Sequence, residues 1–184
     1  LIRQTYERFL KVCPPENIFV VTNDSYMDLV MKQIPELSPD QVLGEPYRKN
    51  TAPCIAYATY RISAREPDAR IVGAPSDHVI LDEPAFIEAI SKGLDFVGGN
   101  DSVLTLGIKP SRPDTGYGYI QFIDDKIQEN NKISKVKTFT EKPNLEMANF
   151  FLKTGEFLWN AGIFLWNAKS IHHSISEFLP EMDN

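Results

Sequence analysis

Cysteine is scarce: Cys13 and Cys54 are the only two in 184 residues. A disulfide framework is therefore not expected, and a reducing compartment fits better. No run of 18 apolar residues is available to cross a bilayer, and no signal-peptide pattern is present. A soluble, cytoplasmic protein is the expectation. Positive charge is in deficit, with 19 Lys and Arg against 25 Asp and Glu and a net charge of −6. That balance argues against nucleic acid or an anionic membrane surface as partner, although local basic groups can still meet phosphates. Repeats, low-complexity stretches and flexible linkers are also missing.

What remains is an ordinary globular composition, 42% hydrophobic and 24% charged, long enough for one domain with a substantial core over residues 1–184. Strand-like and helix-like segments alternate. A helical pattern at Leu1, Ile2, Tyr6, Phe9 and Leu10 opens the chain. Strands are expected at 17–22, 41–44, 70–74 and 103–108. Helices are expected after Asn23 and Asp24, from about 52 to 65, and from 83 to 97 with Gly98-Gly99 as the stop. Repeated βα units with apolar strands predict an α/β fold with a mixed, mostly parallel, doubly wound sheet. Beyond Lys109 the pattern turns to alternating strands at 117–122 and 132–140. A helix capped by Asn144 and ended by Gly155 follows. "FLWNAGIFLW" is one bent strand or a strand pair, and a last helix covers 169–179.

Five stretches carry residue types suited to chemistry. In "GAPSDHVI" an apolar strand ends on Ser76-Asp77-His78, at the carboxyl end where open α/β sheets bind ligands. Asp77 there reads either as a cap of the following turn or as a Mg²⁺ ligand whose other partners are phosphates and water. "EPYRKNTAPCIAYA" sets Arg48, Lys49, Asn50 and Thr51 just before a helix. That is a phosphate-binding helix start or an N-cap among solvated basic residues. "RPDTGYGYI" flanks Tyr117 with Gly116 and Gly118, where a backbone can approach a ligand and a ring can cover a sugar face. "FTEKP" closes a strand with Glu141 and Lys142, which alternation would point to opposite faces. "WNAGIF" places Asn160 among aromatics, where its amide needs backbone or ligand partners.

Taken together and in order, "GEPYRKNTAPCIA", "PSDHVI", "LGIKPSRPDTGYGYI", "FTEKP" and "WNAGIF" resemble the bacterial-type mannose-1-phosphate guanylyltransferases (GDP-mannose pyrophosphorylases) over nearly the whole chain. The resemblance implies a Rossmann-like, three-layer α/β/α nucleotidyltransferase fold related to that of the GT-A glycosyltransferases. It also implies transfer of a guanylyl group from GTP to mannose 1-phosphate, with Mg²⁺ as cofactor. Carried over residue by residue, it assigns Glu45, Pro46, Asn50, Thr51, Ala52, Ser76 and Asp77 to the nucleotide, and Asp77 to the metal. Gly116, Tyr117, Glu141, Lys142, Asn160 and Gly162 go to the sugar phosphate, with Asp77 and Lys142 as the catalytic pair. The family's glycine-rich triphosphate loop and a later metal-binding aspartate have no counterpart among these residues, so an incomplete domain, inactive by itself, is expected. Other readings are another hexose-1-phosphate nucleotidyltransferase, a non-catalytic sugar-nucleotide-binding or regulatory homologue, and a GT-A glycosyltransferase. The last is disfavoured by the absence of any Asp-x-Asp motif. A homo-oligomer is left open.

Overall fold

The structure, a computed structural model, describes residues 1–45, 51–123 and 133–178, apart from the Thr51 side chain. The chain divides into two compact units, Leu1–Leu104 with Leu165–Asn184, and Thr105–Phe164. Among the described residues no helix is long and apolar enough to cross a membrane.

The first unit begins with α1 (Ile2–Phe9), whose Ile2, Tyr6 and Phe9 lie on one face at helical spacing. They pack on β1 (Val20–Asn23), α2 (Met27–Gln33) and β2 (Val42–Glu45), and Ile34 beside α2 is fully buried. β1 and β2 pair in parallel, Val20 opposite Val42 through Asn23 opposite Glu45. Both strands begin later than expected. Pro15–Asn17 and Pro39–Gln41 form tight 3₁₀ turns, because the prolines fix the backbone at the turn entry. Gln41 is buried and lies in the turn before the strand. Its amide nitrogen donates to the carbonyls of Pro15 (2.6 Å) and Ile18 (2.8 Å), which ties the approaches to the two strands together.

α3 (Thr51–Ser63), β3 (Arg70–Gly73) and α4 (Glu83–Gly99) follow. Asp82 caps α4 by accepting from the Ala85 amide at 3.1 Å. Gly98 and Gly99, expected to end that helix, are its last two residues. A side chain on Gly98 would meet Arg70 Cδ at 2.8 Å. The carbonyls of Val97 and Asn100 are instead satisfied by the Asn167 amide, at 2.8 and 3.1 Å. α6 (Ala168–Phe178) packs on α3. Trp166 is fully buried and donates its indole N–H to Thr59 at 3.0 Å.

The second unit holds most of β4 (Leu104–Ile108), then β5 (Tyr119–Phe122), β6 (Val136–Thr140), α5 (Leu145–Thr154) and most of β7 (Phe157–Asn167). β5 pairs antiparallel with both β6 and β7, and β4 lies beside β7. Pairing is thus parallel in the β1–β2 sheet and antiparallel around β5 in the other. Asn144 caps α5 by accepting from the Met147 amide at 2.9 Å, and Gly155 ends it at φ +72°, where glycine carries no steric cost. Tyr119, Ala148, Phe151, Phe157 and Trp159 form the buried core between α5 and the strands. β7 is one continuous strand, its irregularity absorbed by Gly162 at φ +67°.

Candidate functional site

In the first unit, β3 delivers the chain through Ala74 and Pro75 to Ser76 and Asp77, both exposed in a turn. Thr5 of α1, itself buried, donates its hydroxyl to the Ser76 carbonyl at 3.0 Å and anchors that turn. The Asp77 carboxylate makes no hydrogen bond or ion pair among the described residues. No group of three or more His, Cys, Asp or Glu side chains gathers there as a metal cage among the described residues. Asp77 thus fits a hard cation that takes most of its oxygens from phosphate and water, and it does not form a closed metal centre.

Glu45 ends β2 beside Asn23. The Asn23 amide nitrogen donates to the Glu45 carbonyl at 3.1 Å, while its oxygen caps the Ser25 amide. β2 is hemmed in just before this point, since a side chain on Gly44 would collide with the Asp24 carboxylate. Burial pushes the Cys54 thiol above its ordinary range, and the nearby Glu45 charge adds to that. Ala52 is exposed in the first turn of α3, and Thr51 contributes the start of that helix. Pro46 and Asn50, with Arg48 and Lys49, lie outside the described residues.

The second unit brings more of its expected residues together. β6 stops at Thr140, so Glu141 and Lys142 stand beyond the strand and alternation does not separate them. Lys142 Nζ comes within 3.8 Å of Glu141 Oε1. Lys142 also has φ +43°, the single positive φ outside glycine among the described residues, although it precedes Pro143. A residue before proline normally takes extended backbone, so this left-handed conformation is strained. The Glu141 carboxylate lies over Gly118, where a side chain would meet Oε2 at 2.7 Å. Asn160 completes the group by donating its backbone N–H to the Gly118 carbonyl at 2.8 Å.

The Asn160 side chain is oriented from one end. Its Oδ1 accepts from the Thr105 hydroxyl at 2.9 Å and from the Gly162 amide at 3.0 Å. The Thr105 hydroxyl also lies 3.2 Å from the Ile163 carbonyl and, with one proton, serves one acceptor at a time. With Oδ1 so engaged, the amide –NH₂ of Asn160 is left without a protein partner among the described residues. Gly118, Glu141 and Asn160 therefore lie together, with one amide donor unpartnered among the described residues and one carboxylate between them.

Tyr117 is placed elsewhere in the unit. Its ring meets Trp159 edge-on, with centroids 5.1 Å apart, and Trp159 points to the face of β7 opposite Asn160. Nothing in the sequence pattern singled out Thr105, Arg112, Asp114 or Trp159. Thr105 reads as one more residue of an apolar strand; Arg112 and Asp114 pair locally, two residues apart, and Trp159 joins them only through tertiary contact.

A cavity of about 660 Å³ lies in the first unit at the amino end of β3, away from Asp77. Its charged lining is already paired, Arg70 with Asp95 at 3.1 Å, Lys169 with Asp68, and His173 with Asp101 at 3.2 Å. Open α/β sheets bind ligands at the other end of their strands, so this cavity is set aside as the reaction site.

Comparison with known proteins places these regions in context. The nucleotidyl transferase family model matches residues 1–182. The chain belongs to the nucleotidyl transferase family. It is 36% identical over 163 residues to the xanthan biosynthesis protein XanB of Xanthomonas campestris, covering 88% of this chain and 34% of that protein. It is 33% identical over 172 residues to the mannose-1-phosphate guanylyltransferase of Escherichia coli, covering 91% and 36%. This nucleotidyl transferase chain thus spans about a third of the length of the curated relatives it matches. Among solved structures, a mannose-1-phosphate geranyltransferase from Thermus thermophilus superposes with TM-score 0.87 at 25% identity, over 99% of this chain and 51% of that one. The nucleotidyltransferase-type α/β fold expected from the sequence is the fold observed.

Proposed function

We propose that this chain is part of a mannose-1-phosphate guanylyltransferase, which joins GTP and mannose 1-phosphate to give GDP-mannose and pyrophosphate. Membership of the family supports a sugar-1-phosphate nucleotidyltransferase. The mannose-1-phosphate guanylyltransferase names borne by relatives at 32–33% identity support mannose and guanine as the finer choice. The observation that carries the sugar-phosphate half is the group formed by Gly118, Glu141, Lys142 and Asn160. It offers a carboxylate for sugar hydroxyls, an amide donor held in one orientation, and an ammonium for the phosphate.

A phosphate oxygen of the sugar attacks the α-phosphorus of GTP in line, the bond to the bridging oxygen breaks, and pyrophosphate leaves. Such a reaction asks for little covalent help, so positioning and charge complementarity dominate. Lys142 offsets negative charge on the attacking phosphate, and its strained backbone holds the ammonium close to Glu141. Glu141 and Asn160 fix the sugar through its hydroxyls, and the Gly116–Gly118 backbone lies along it. In the first unit, Glu45, Thr51 and Ala52, with Pro46 and Asn50, take the nucleotide, and Ser76 presents Asp77. Mg²⁺, held by Asp77 together with phosphate oxygens and water, would neutralise charge on the triphosphate.

The test is an assay of the full-length enzyme of which this chain is proposed to be part, with GTP, mannose 1-phosphate and Mg²⁺, following pyrophosphate release, against other hexose 1-phosphates and nucleotides. Turnover with mannose 1-phosphate and GTP is expected to exceed that with the other pairs. In the same assay Asp77→Ala is expected to lose turnover by about 100-fold or more while keeping its thermal midpoint, because among the described residues the carboxylate has no protein partner to lose. Wild-type Mg²⁺-dependent turnover in that variant would remove Asp77 from the metal site.

A further inference from the structure

The loop leading into β5 carries a network that the proposed reaction does not by itself require. Arg112 donates through Nε and Nη2 to Asp114 Oδ2, at 3.0 and 2.7 Å. The other oxygen of the same carboxylate accepts from the Gly116 amide at 2.8 Å. One residue's two carboxylate oxygens thus fasten both the arginine and the start of the glycine turn. The Asp114 carbonyl accepts from the Tyr119 hydroxyl at 2.9 Å, and Tyr119 is fully buried in β5. The loop is therefore also bolted to the core.

Arg112 closes the arrangement from above. Its guanidinium lies 5.3 Å from the Trp159 ring centre and 6.0 Å from that of Tyr117. The two rings touch each other edge-on. Trp159 is nine-tenths buried, and its indole N–H has no partner among the described residues, so there the ring is held by packing and by this cation rather than by a hydrogen bond. The turn that Arg112 fastens ends at Gly118, whose carbonyl binds the Asn160 amide and whose Cα faces Glu141.

We infer that Arg112 is a positioning residue of the sugar-phosphate site, clamping the Asp114–Gly118 turn onto Trp159 and so setting where the Gly116–Gly118 backbone meets the sugar. The inference rests on the sugar-phosphate reading given above. Lysine does not substitute for this residue, because the clamp uses a planar group that stacks on a ring while two of its nitrogens face one carboxylate.

The experiment measures, in the full-length enzyme of which this chain is proposed to be part, KM for mannose 1-phosphate and for GTP, kcat, and direct binding of mannose 1-phosphate by calorimetry. Arg112→Ala and Arg112→Lys are compared with Glu141→Gln. Arg112→Ala is expected to raise the sugar-phosphate KM by about fivefold and to weaken binding by the same factor, with GTP KM changed less than about twofold. Arg112→Lys is expected to recover little of the loss. If Glu141→Gln weakens sugar-phosphate binding and Arg112→Ala does not, the clamp is disproved and the site stands. Equal rises in both KM values with a lowered thermal midpoint would make Arg112 a general structural residue and overturn the inference. If neither variant alters sugar-phosphate binding, the sugar-phosphate reading fails and the inference falls with it.

Discussion

The two units treat their polar residues differently. In the first, apolar side chains from helices and strands make the core, with Ile34, Ile90 and Trp166 fully buried. The candidate ligand-binding groups sit at a strand end (Glu45), a helix start (Thr51, Ala52) and a turn (Ser76, Asp77), and Asp77 is exposed and unpartnered among the described residues. In the second, candidate groups are bonded to one another: Thr105 to Asn160, Asn160 to Gly162 and Gly118, and Arg112 through Asp114 to Gly116. In the proposed function, a carboxylate that meets a cation and mobile phosphates gains from keeping its oxygens free. A group that must read the hydroxyls of a small rigid ring gains from being fixed beforehand, since preorganisation lowers the cost of binding. The first unit therefore separates stability from chemistry, and the second couples them.

That contrast can be broken by substitution. The largest expected effect is on stability in the first unit. Trp166→Ala removes a fully buried ring and the hydrogen bond to Thr59, so about 3–5 kcal/mol is expected to be lost in chemical denaturation. Thr59→Val, which keeps the volume, should cost much less. If the two cost the same, packing is not what holds this core.

Asn160→Ala probes the coupling in the second unit. It strips partners from the Thr105 hydroxyl and the Gly162 amide, so a loss of about 1–3 kcal/mol is expected together with weaker sugar-phosphate binding. A variant that loses only binding, at unchanged stability, would place Asn160 with the unpartnered groups and erase the distinction between the units.

Thr5→Val sharpens the first unit's side of the comparison. The hydroxyl it removes holds the Ser76 carbonyl next to Asp77, and about 1 kcal/mol is expected to be lost. The Mg²⁺ concentration for half-maximal activity should rise by a few-fold, because the turn carrying Asp77 is released, while Thr5→Ser should restore it. An unchanged Mg²⁺ requirement would show that the turn needs no anchor.

The smallest effect is set by pH. The Gly116 amide, and after it Arg112, hold the Asp114 carboxyl below its usual range. Because the folded-state value is the lower one, this stabilisation is fully present above the ordinary carboxylate pKa and is lost as the pH falls through the depressed value. Stability measured from pH 7 down into strong acid is expected to show a component that Asp114→Asn removes. Identical acid profiles for the two proteins would remove Asp114 from the clamp.

Much of the fold is legible in local chemistry. The Asn144 cap and the Gly155 stop of α5, the 3.6-residue spacing of Ile2, Tyr6 and Phe9, and the apolar run of β3 each follow from backbone and burial requirements that a few neighbours settle. The five stretches named as candidates are also readable, because a polar group interrupting an apolar strand stands out at short range. What local pattern misjudged were boundaries decided at a distance. Gly98-Gly99 suggested a stop, yet the helix continues through both, and its end is served by Asn167 from far along the chain. Strand alternation was expected to part Glu141 from Lys142, but β6 ends one residue too early for alternation to apply.

The sequence by itself thus determined which segments become helices and strands, and which residue types are present for the proposed handling of a sugar phosphate and a nucleotide. Periodicity, capping and turn chemistry act over a few residues, and hydrogen-bonding capacity belongs to each side chain wherever it lies. Only the tertiary structure decided which of those groups are free and which are already engaged. Asp77 is left open, the Asn160 oxygen is consumed by Thr105 and Gly162, and Arg112 is drawn onto Trp159 through Asp114. A hydrogen bond or a ring contact depends on where two groups meet in space, and separation along the chain does not fix that.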